Sequence, residues 1–319
     1  MNNPAIGGCR LVLGGNVFGW TADRETSFAI LDAFVAAGGS MIDTADVYSA
    51  WVPGHRGGES ESVIGEWLRA SGKRDSVRIA TKVGMLPGEG GKGLAPARIA
   101  AACDASLQRL GVERIDLYYA HRDDPATPQD EVAAAFATLV QAGKVGVLGA
   151  SNFTPERLRS ALDLGTPYRV FQPEYNLVAR GALAEGLRAN RDGDLTEYEG
   201  ALQDLCVKRG VAVLPYFGLA SGFLTGKYRS AEDVSGARAM RVKDYMKVRG
   251  LAVLKVMDGV AEETGATHAQ IALAWLNAQP GIAAPIASAT SVLQLHDLLA
   301  ATELTLSPDQ LARLDASGG

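Results

Sequence analysis

Eight short apolar segments, each followed by an amphipathic one, are the feature that most limits what this chain can become. The apolar segments centre on Arg10–Leu13, Met41–Asp43, Val77–Lys82, Ile115–Ala120, Val145–Ala150, Tyr168–Phe171, Val211–Pro215 and Ile282–Ile286. Continuous apolar runs of this length, bounded by glycine and polar residues, read as strands buried on both faces. Between them, apolar residues recur at helical spacing, as in Phe28, Ile30, Leu31, Phe34 and Val35, a segment ended by Gly38-Gly39. Strict alternation of strand and helix implies a parallel sheet. Eight units in 319 residues favour an α/β fold of the (β/α)8 TIM-barrel type over an open sheet. With no composition break to mark a linker, residues 1–319 read as a single domain.

Composition adds exclusions. Lys plus Arg number 31 against 36 Asp plus Glu, so no basic excess points to nucleic acid. No stretch is long and apolar enough to span a bilayer, and Met1-Asn2-Asn3-Pro4 does not open a signal sequence. Cys9, Cys103 and Cys206 lie far apart, which fits buried thiols in a reducing, cytoplasmic setting rather than a disulfide or a zinc site. Ile6–Cys9 is a candidate lid for the barrel bottom, and the tail after Ser307 a candidate cover for the top. The charged stretch 218–249 reads as a long loop.

A barrel collects its functional side chains at the C-terminal ends of its strands. Those ends carry Asp43, Lys82, His121, Ser151-Asn152, Gln172 and Tyr216, with Tyr48 just beyond Asp43. Each has a plain alternative: Asp43 as a helix cap, His121 as a core hydrogen bonder. Together they spell a chemistry. A phenol is a weak acid, and a neighbouring ammonium lowers its pKa. Lys82 can act so on Tyr48, Asp43 can orient Lys82, and His121 can hydrogen-bond a carbonyl oxygen. That arrangement is a proton donor over a polarised C=O, with no nucleophile and no metal ligand set. Hydride must then come from a nicotinamide, since side chains supply none. Tyr216 offers a flat face for the ring, and Ser151, Asn152 and Gln172 offer partners for its carboxamide. Trp20 and Trp51, in loops at the mouth, are candidate substrate contacts, whereas Trp67 has core spacing. Asp46 reads as structural.

In order along the chain, Asp43-Thr-Ala-Asp-Val-Tyr48, Ala80-Thr-Lys82, Tyr118-Tyr-Ala-His121, Gly149-Ala-Ser-Asn152, Gln172-Pro-Glu-Tyr-Asn176 and Gly222-Phe-Leu-Thr-Gly-Lys227 resemble the successive signatures of the aldo-keto reductase family. The resemblance runs nearly end to end. It implies NAD(P)H-dependent reduction of a small-molecule aldehyde or ketone, reversibly, with Tyr48 as acid, Asp43 and Lys82 tuning it, and His121 orienting substrate. It also implies that Gly218, Leu219, Ser221 and Gly222, with Lys227, hold the pyrophosphate, and that Ser288, Thr290 and Gln294 hold the adenosine end. NADP(H) is the expected cofactor and NAD(H) the alternative, because Pro285–Leu298 carries no Arg or Lys to pair with a 2′-phosphate. Substitute cations are Lys227, Arg229, Arg238, Arg241 and Lys243. Tyr216-Phe-Gly-Leu219 also departs from the Tyr-Ser-Pro-Leu common in the family. Two other readings compete: a Schiff-base aldolase using Lys82, and a cofactor-sensing binding subunit on the same fold. Gly88-Glu-Gly-Gly-Lys-Gly93 matches a dinucleotide fingerprint in form only, since it does not run from a strand directly into a helix. Gly222–Lys227 is one spacer short of a P-loop.

Overall fold

The computed structural model describes residues 6–180, 197–234 and 239–318. Eight parallel strands alternate with helices. They are β1 (Val12–Gly14), α1 (Arg24–Ala36), β2 (Met41–Asp43), α2 (Glu59–Ser71), β3 (Arg78–Val83), α3 (Pro96–Leu110), β4 (Ile115–Ala120) and α4 (Gln129–Gln141). There follow β5 (Val145–Ser151), α5 (Pro155–Asp163), β6 (Tyr168–Gln172), α6 (Ala201–Arg209), β7 (Ala212–Val213), α7 (Ala239–Tyr245), α8 (Leu251–Thr264), α9 (His268–Ala278), β8 (Ile286–Ala287), α10 (Val292–Ala300) and α11 (Pro308–Gly318). The helix boundaries follow local chemistry. Asp23 caps α1 by accepting from the Thr26 N–H, Pro96 and Pro155 open α3 and α5, and left-handed Gly72 and Gly111 end α2 and α3.

The sheet runs β7-β6-β5-β4-β3-β2-β1-β8, every neighbouring pair parallel. Its two edges meet. Ala283 N–H donates to Val213 O (2.8 Å) and Ile286 N–H to Pro215 O (2.9 Å), closing the cylinder. Closure removes both exposed edges, which an open sheet of this length would have to protect.

Side chains alternate inward and outward along each strand. Val12, Met41, Ala80, Leu117, Tyr119, Val170, Ala212, Leu214, Ala284 and Ile286 form one buried cluster that fills the barrel, and Ile6 plugs it beside them. The outward set, including Leu13, Ile42, Ile79, Tyr118 and Phe171, packs with the helices in a second, larger cluster. The parity of the inner set decides what reaches the mouth. Two residues beyond Ala80 is Lys82; beyond Tyr119, His121; beyond Val170, Gln172; beyond Leu214, Tyr216; beyond Ile286, Ser288. The residues that close the barrel below thus present the polar set above.

One interior position shows how tightly this is filled. Gly149 on β5 faces the Tyr119 ring, and a Cβ built there would collide with the ring carbons. We expect Gly149→Ala to destabilise by about 1–3 kcal/mol, read as a lower Tm. Tyr119→Leu in the same chain should recover much of that loss, and no recovery would place the strain elsewhere.

Two regions differ from the sequence reading. The charged stretch 218–249 is not one loop, because α7 forms within it and continues through a wide turn, Met246–Gly250, into α8. Val242 and Tyr245 are buried at helical spacing, but Arg241 just before them also turns inward, to Glu174, and so hides the amphipathic pattern. The tail after Ser307 forms α11, where Asp315 accepts from Trp275 Nε1 (2.8 Å) and Arg180. Arg238, one of the substitute cations, lies outside the described residues.

Candidate active site

Lys82 organises the mouth. Its side chain is fully buried, and its ammonium, with three N–H groups, meets three oxygens: Asp43 Oδ1 at 2.5 Å, the Thr44 carbonyl at 2.7 Å and Tyr48 Oη at 3.1 Å. Register explains the fit. β2 pairs with β3 through Asp43↔Ala80, and beyond the strand Thr44 N–H still bonds to Ala80 O (2.8 Å). The chain after Asp43 therefore stays against β3 long enough to bring both Thr44 O and Tyr48 over the amine. Asp43 caps no helix; its second oxygen accepts from Gln172 Nε2 at 2.9 Å.

Charges follow from this enclosure. Burial pulls the Lys82 pKa down, but Asp43 and Tyr48 more than reverse it, so the ammonium keeps its proton at neutral pH. For Tyr48 the balance differs from the simple expectation. Burial raises its pKa, Lys82 lowers it, Asp43 raises it again, and the net direction is upward. Tyr48 is only half-buried, so burial acts on it less than on a sealed phenol. Tyr48 is a fully protonated donor held beside a cation. His121 is pushed well below the usual imidazole value by burial and by Lys82 and Arg122, and is neutral at pH 7. Its ring lies 6.0 Å from that of Tyr48, centroid to centroid, and its Nδ1 has no hydrogen-bond partner among the described residues.

Ser151, Asn152, Gln172 and Tyr216 form a connected rim. Ser151 Oγ donates to Gln172 O (2.7 Å), Asn152 Nδ2 to His121 O (2.9 Å) and to Ser151 Oγ (3.0 Å), and Tyr216 Oη to Asn152 Oδ1 (2.7 Å). Asn152 takes a left-handed backbone (φ 56°), a conformation that asparagine tolerates better than most residues. Gln172 thus joins this rim to Asp43, a link that no strand-end count reveals.

A cleft of about 570 Å³ adjoins the rim. Gly218, Leu219, Ser221, Gly222, Lys227, Ser288, Thr290 and Gln294, expected at the dinucleotide, all line it. Ala220, Ser221 and Gly222 are successively left-handed, and the open face of Gly222 looks at the Lys227 ammonium, 3.9 Å from where a Cβ would stand. A cation, hydroxyl groups (among them Ser221, Thr225, Ser288 and Thr290) and apolar walls from Leu219, Ile286 and Leu298 suit a molecule with an anionic middle and flat, partly apolar ends. Asn16, which accepts from Ser288 Oγ (2.6 Å), and Asp297 also line the cleft. Neither stood out in the sequence, although Asn16 follows β1 at the inward parity. Arg229 is committed to Asp258 and Arg241 to Glu174. Of the substitute cations, only Lys227 lines the cleft among the described residues.

An aromatic wall adjoins Tyr48. Trp51 packs edge-on against Tyr48 (5.8 Å between centroids) and against Trp20 (5.4 Å), and remains 48% exposed. Trp67 is core, its Nε1 donating to Asp32. The three cysteines are unpaired, and burial pushes Cys9 up to about 11 and Cys103 and Cys206 up to about 12. No thiolate competes with Tyr48 at neutral pH.

A model of the aldo/keto reductase family matches residues 10–318 of the chain. The chain belongs to the aldo/keto reductase family. Among its relatives is an uncharacterized oxidoreductase, YrpG, of Bacillus subtilis, 34% identical over 96% of this chain and 91% of that protein. Another is an L-glyceraldehyde 3-phosphate reductase of Escherichia coli O157:H7, 32% identical over 93% of this chain and 85% of that one. A third is the NADP(+) aldo-keto reductase yakc of Schizosaccharomyces pombe, 29% identical over 95% of this chain and 85% of that one. This aldo-keto reductase is an NAD(P)H-dependent oxidoreductase on a (β/α)8 barrel, and it acts on carbonyl groups. Among its described residues no helix is long and apolar enough to cross a membrane.

Proposed function

We propose that the protein reduces an aldehyde or ketone to the alcohol, with Tyr48 as the proton donor, Lys82 and Asp43 as its electrostatic support and His121 as the group that orients the carbonyl. The observation that carries this reading is the Lys82 ammonium shared among Asp43, Thr44 O and Tyr48. As the carbonyl oxygen gains electron density it draws the Tyr48 proton, and the fixed positive charge below stabilises the phenolate left behind. Neutral His121 offers an N–H to the same oxygen without adding a second acid. The Asp43 contact keeps Lys82 charged and still, so no reorganisation is needed during proton transfer. A nicotinamide supplies the hydride when bound. Asn152, Gln172, Ser151 and Tyr216 are assigned to its carboxamide and ring, and the cleft from Gly218 to Lys227 and from Ser288 to Gln294 to the remaining dinucleotide.

The same geometry argues against Schiff-base chemistry. Lys82 is sealed, protonated and fully hydrogen-bonded, the opposite of a nucleophilic amine. The rim formed by Trp20, Trp51 and Tyr48 suits a carbonyl carried on an apolar or aromatic group. Three unpaired cysteines accord with a reducing, cytoplasmic setting.

NADPH is the proposed cofactor, with Lys227 as the cation for its phosphates. Steady-state kinetics with both cofactors test this, and equal or higher kcat/KM with NADH overturns the preference. Lys227→Met is expected to weaken the binding of the favoured cofactor by about 10-fold or more, the scale of a lost charge-assisted contact, measured by fluorescence titration. Unchanged affinity would remove Lys227 from the site.

A further inference from the structure

The turn that carries Tyr48 holds a second carboxylate, Asp46, to which carbonyl reduction as described gives no part. It is fully buried. Its backbone N–H donates to Lys82 O at 3.3 Å, so it is seated on the same strand end as the ammonium. Its Oδ2 receives one long bond from Arg98 Nη2 (3.3 Å), and its Oδ1 has no hydrogen-bond partner among the described residues. Arg98 also donates to Glu89 O (3.2 Å) in the glycine-rich turn after β3. At Gly88 in that turn a Cβ would stand 2.6 Å from Arg98 Nη1, so the run that imitates a dinucleotide fingerprint makes room for this guanidinium.

Five groups face Asp46: Glu61 from α2, Arg98 and Arg109 from α3, Tyr118 from β4 and Tyr48 from its own turn. Glu61 is already answered by Arg109 Nε (2.6 Å) and Thr81 Oγ1 (2.6 Å). That leaves Asp46 with a single, stretched contact. A buried carboxylate so thinly compensated resists ionisation. Burial and Glu61 push it up to about 7, against the pull of Arg98 and Arg109. Its charge in turn opposes loss of the Tyr48 proton.

We propose that Asp46 is a positioning residue that sets the pH response of the reduction, its carboxylate tuning Tyr48 from within the same turn while Arg98 ties it to the glycine-rich turn. This rests on Tyr48 being the proton donor. With Asp46 neutral, proton transfer from Tyr48 proceeds against Asp43 alone; with Asp46 ionised, a second negative charge opposes it. The single-turnover rate therefore falls as pH rises through the titration of Asp46, by on the order of threefold to tenfold at the separation and screening of such groups.

The test is the single-turnover rate of NADPH oxidation from roughly pH 5.5 to 9, with thermal unfolding over the same range, for the parent, Asp46→Asn, Arg98→Met and Tyr48→Phe. The parent is expected to show a step near pH 7, about where Asp46 titrates. Asp46→Asn should lack the step and hold the low-pH rate throughout. Arg98→Met should move the step to higher pH, and it carries the test if the asparagine variant does not fold. Because the folded pKa of Asp46 is raised, the stability it allows is present at low pH and lost as pH rises through that value. The Tm of Asp46→Asn should accordingly exceed the parent's most at alkaline pH, with the gap narrowing as pH falls below that value. A step unmoved in Asp46→Asn, or a uniform rate loss at every pH with the step retained, overturns the proposal and leaves Asp46 structural. Turnover surviving in Tyr48→Phe overturns instead the assignment of the acid, while the Tm comparison still reports on Asp46.

Discussion

Tyr48→Phe is expected to lower the single-turnover rate of carbonyl reduction by about 10²- to 10⁴-fold, the usual value of a positioned general acid, with little change in cofactor affinity. The separation of these two effects follows from what the hydroxyl touches. Tyr48 Oη meets Lys82 Nζ at 3.1 Å, whereas the ring meets Trp51 and His121, contacts that phenylalanine keeps. Lys82 retains Asp43 and the Thr44 carbonyl, so no charge is left stranded. The cleft lined by Gly218–Lys227 and Ser288–Gln294 does not include Tyr48. Stability should consequently change by less than about 1 kcal/mol, the net value of one hydrogen bond. Rapid mixing with NADPH and an aromatic aldehyde measures the rate, and fluorescence quenching measures binding. A variant within about threefold of the parent rate would take Tyr48 out of the chemistry, since general acid catalysis is worth far more than that. Loss of cofactor binding in step with rate would assign the hydroxyl to the wrong partner.

Much of this site could be read from parity and position. Once Ala80, Tyr119 and Val170 are taken as barrel-lining, Lys82, His121 and Gln172 must point into the same mouth, because side chains alternate along strands. What could not be read is the third dimension of each contact. Thr44 serves Lys82 through its carbonyl, an atom every residue carries, so nothing in the residue type marks it. Gln172, assigned from the chain to a cofactor, also gives its Nε2 to Asp43, a residue far away in sequence. The helix α7 was concealed because Arg241 turns inward to a buried Glu174 that lies distant along the chain. The sign of the Tyr48 shift was equally out of reach. It depends on how much burial opposes Lys82, and burial is a property of the folded surroundings rather than of the octet around Tyr48. Asp46 is the sharpest case. It sits two residues from Tyr48 in plain view, yet its interest comes from Arg98 and Glu61 on two different helices.

Lys82→Met is the change expected to do most damage overall. Removing the cation leaves Asp43 buried with Gln172 as its remaining hydrogen-bond partner in the site, and breaking a buried ion pair from one side costs about 3–5 kcal/mol. The cost should be smaller in Asp43→Asn/Lys82→Met, where no unanswered charge remains. A double variant as unstable as the single one would mean that the loss comes from packing around the methionine rather than from the stranded carboxylate. Rate should fall as well, and by at least as much as in Tyr48→Phe. The ammonium is the group that pulls the Tyr48 pKa down, and without it burial and Asp43 act on the phenol unopposed. In the double variant stability returns but the rate does not, because Tyr48 still lacks its cation. The pH dependence separates the two roles further. The folded pKa of Lys82 is raised above its ordinary 10.5. The stability gained from that shift is fully present below the unfolded value and is lost as pH rises through the folded one. The gap in Tm between parent and Lys82→Met should therefore stay constant across neutral pH and narrow only in strong alkali. A gap that closed near neutrality would mean that Lys82 is uncharged there, and the electrostatic support assigned to Tyr48 would fall with it.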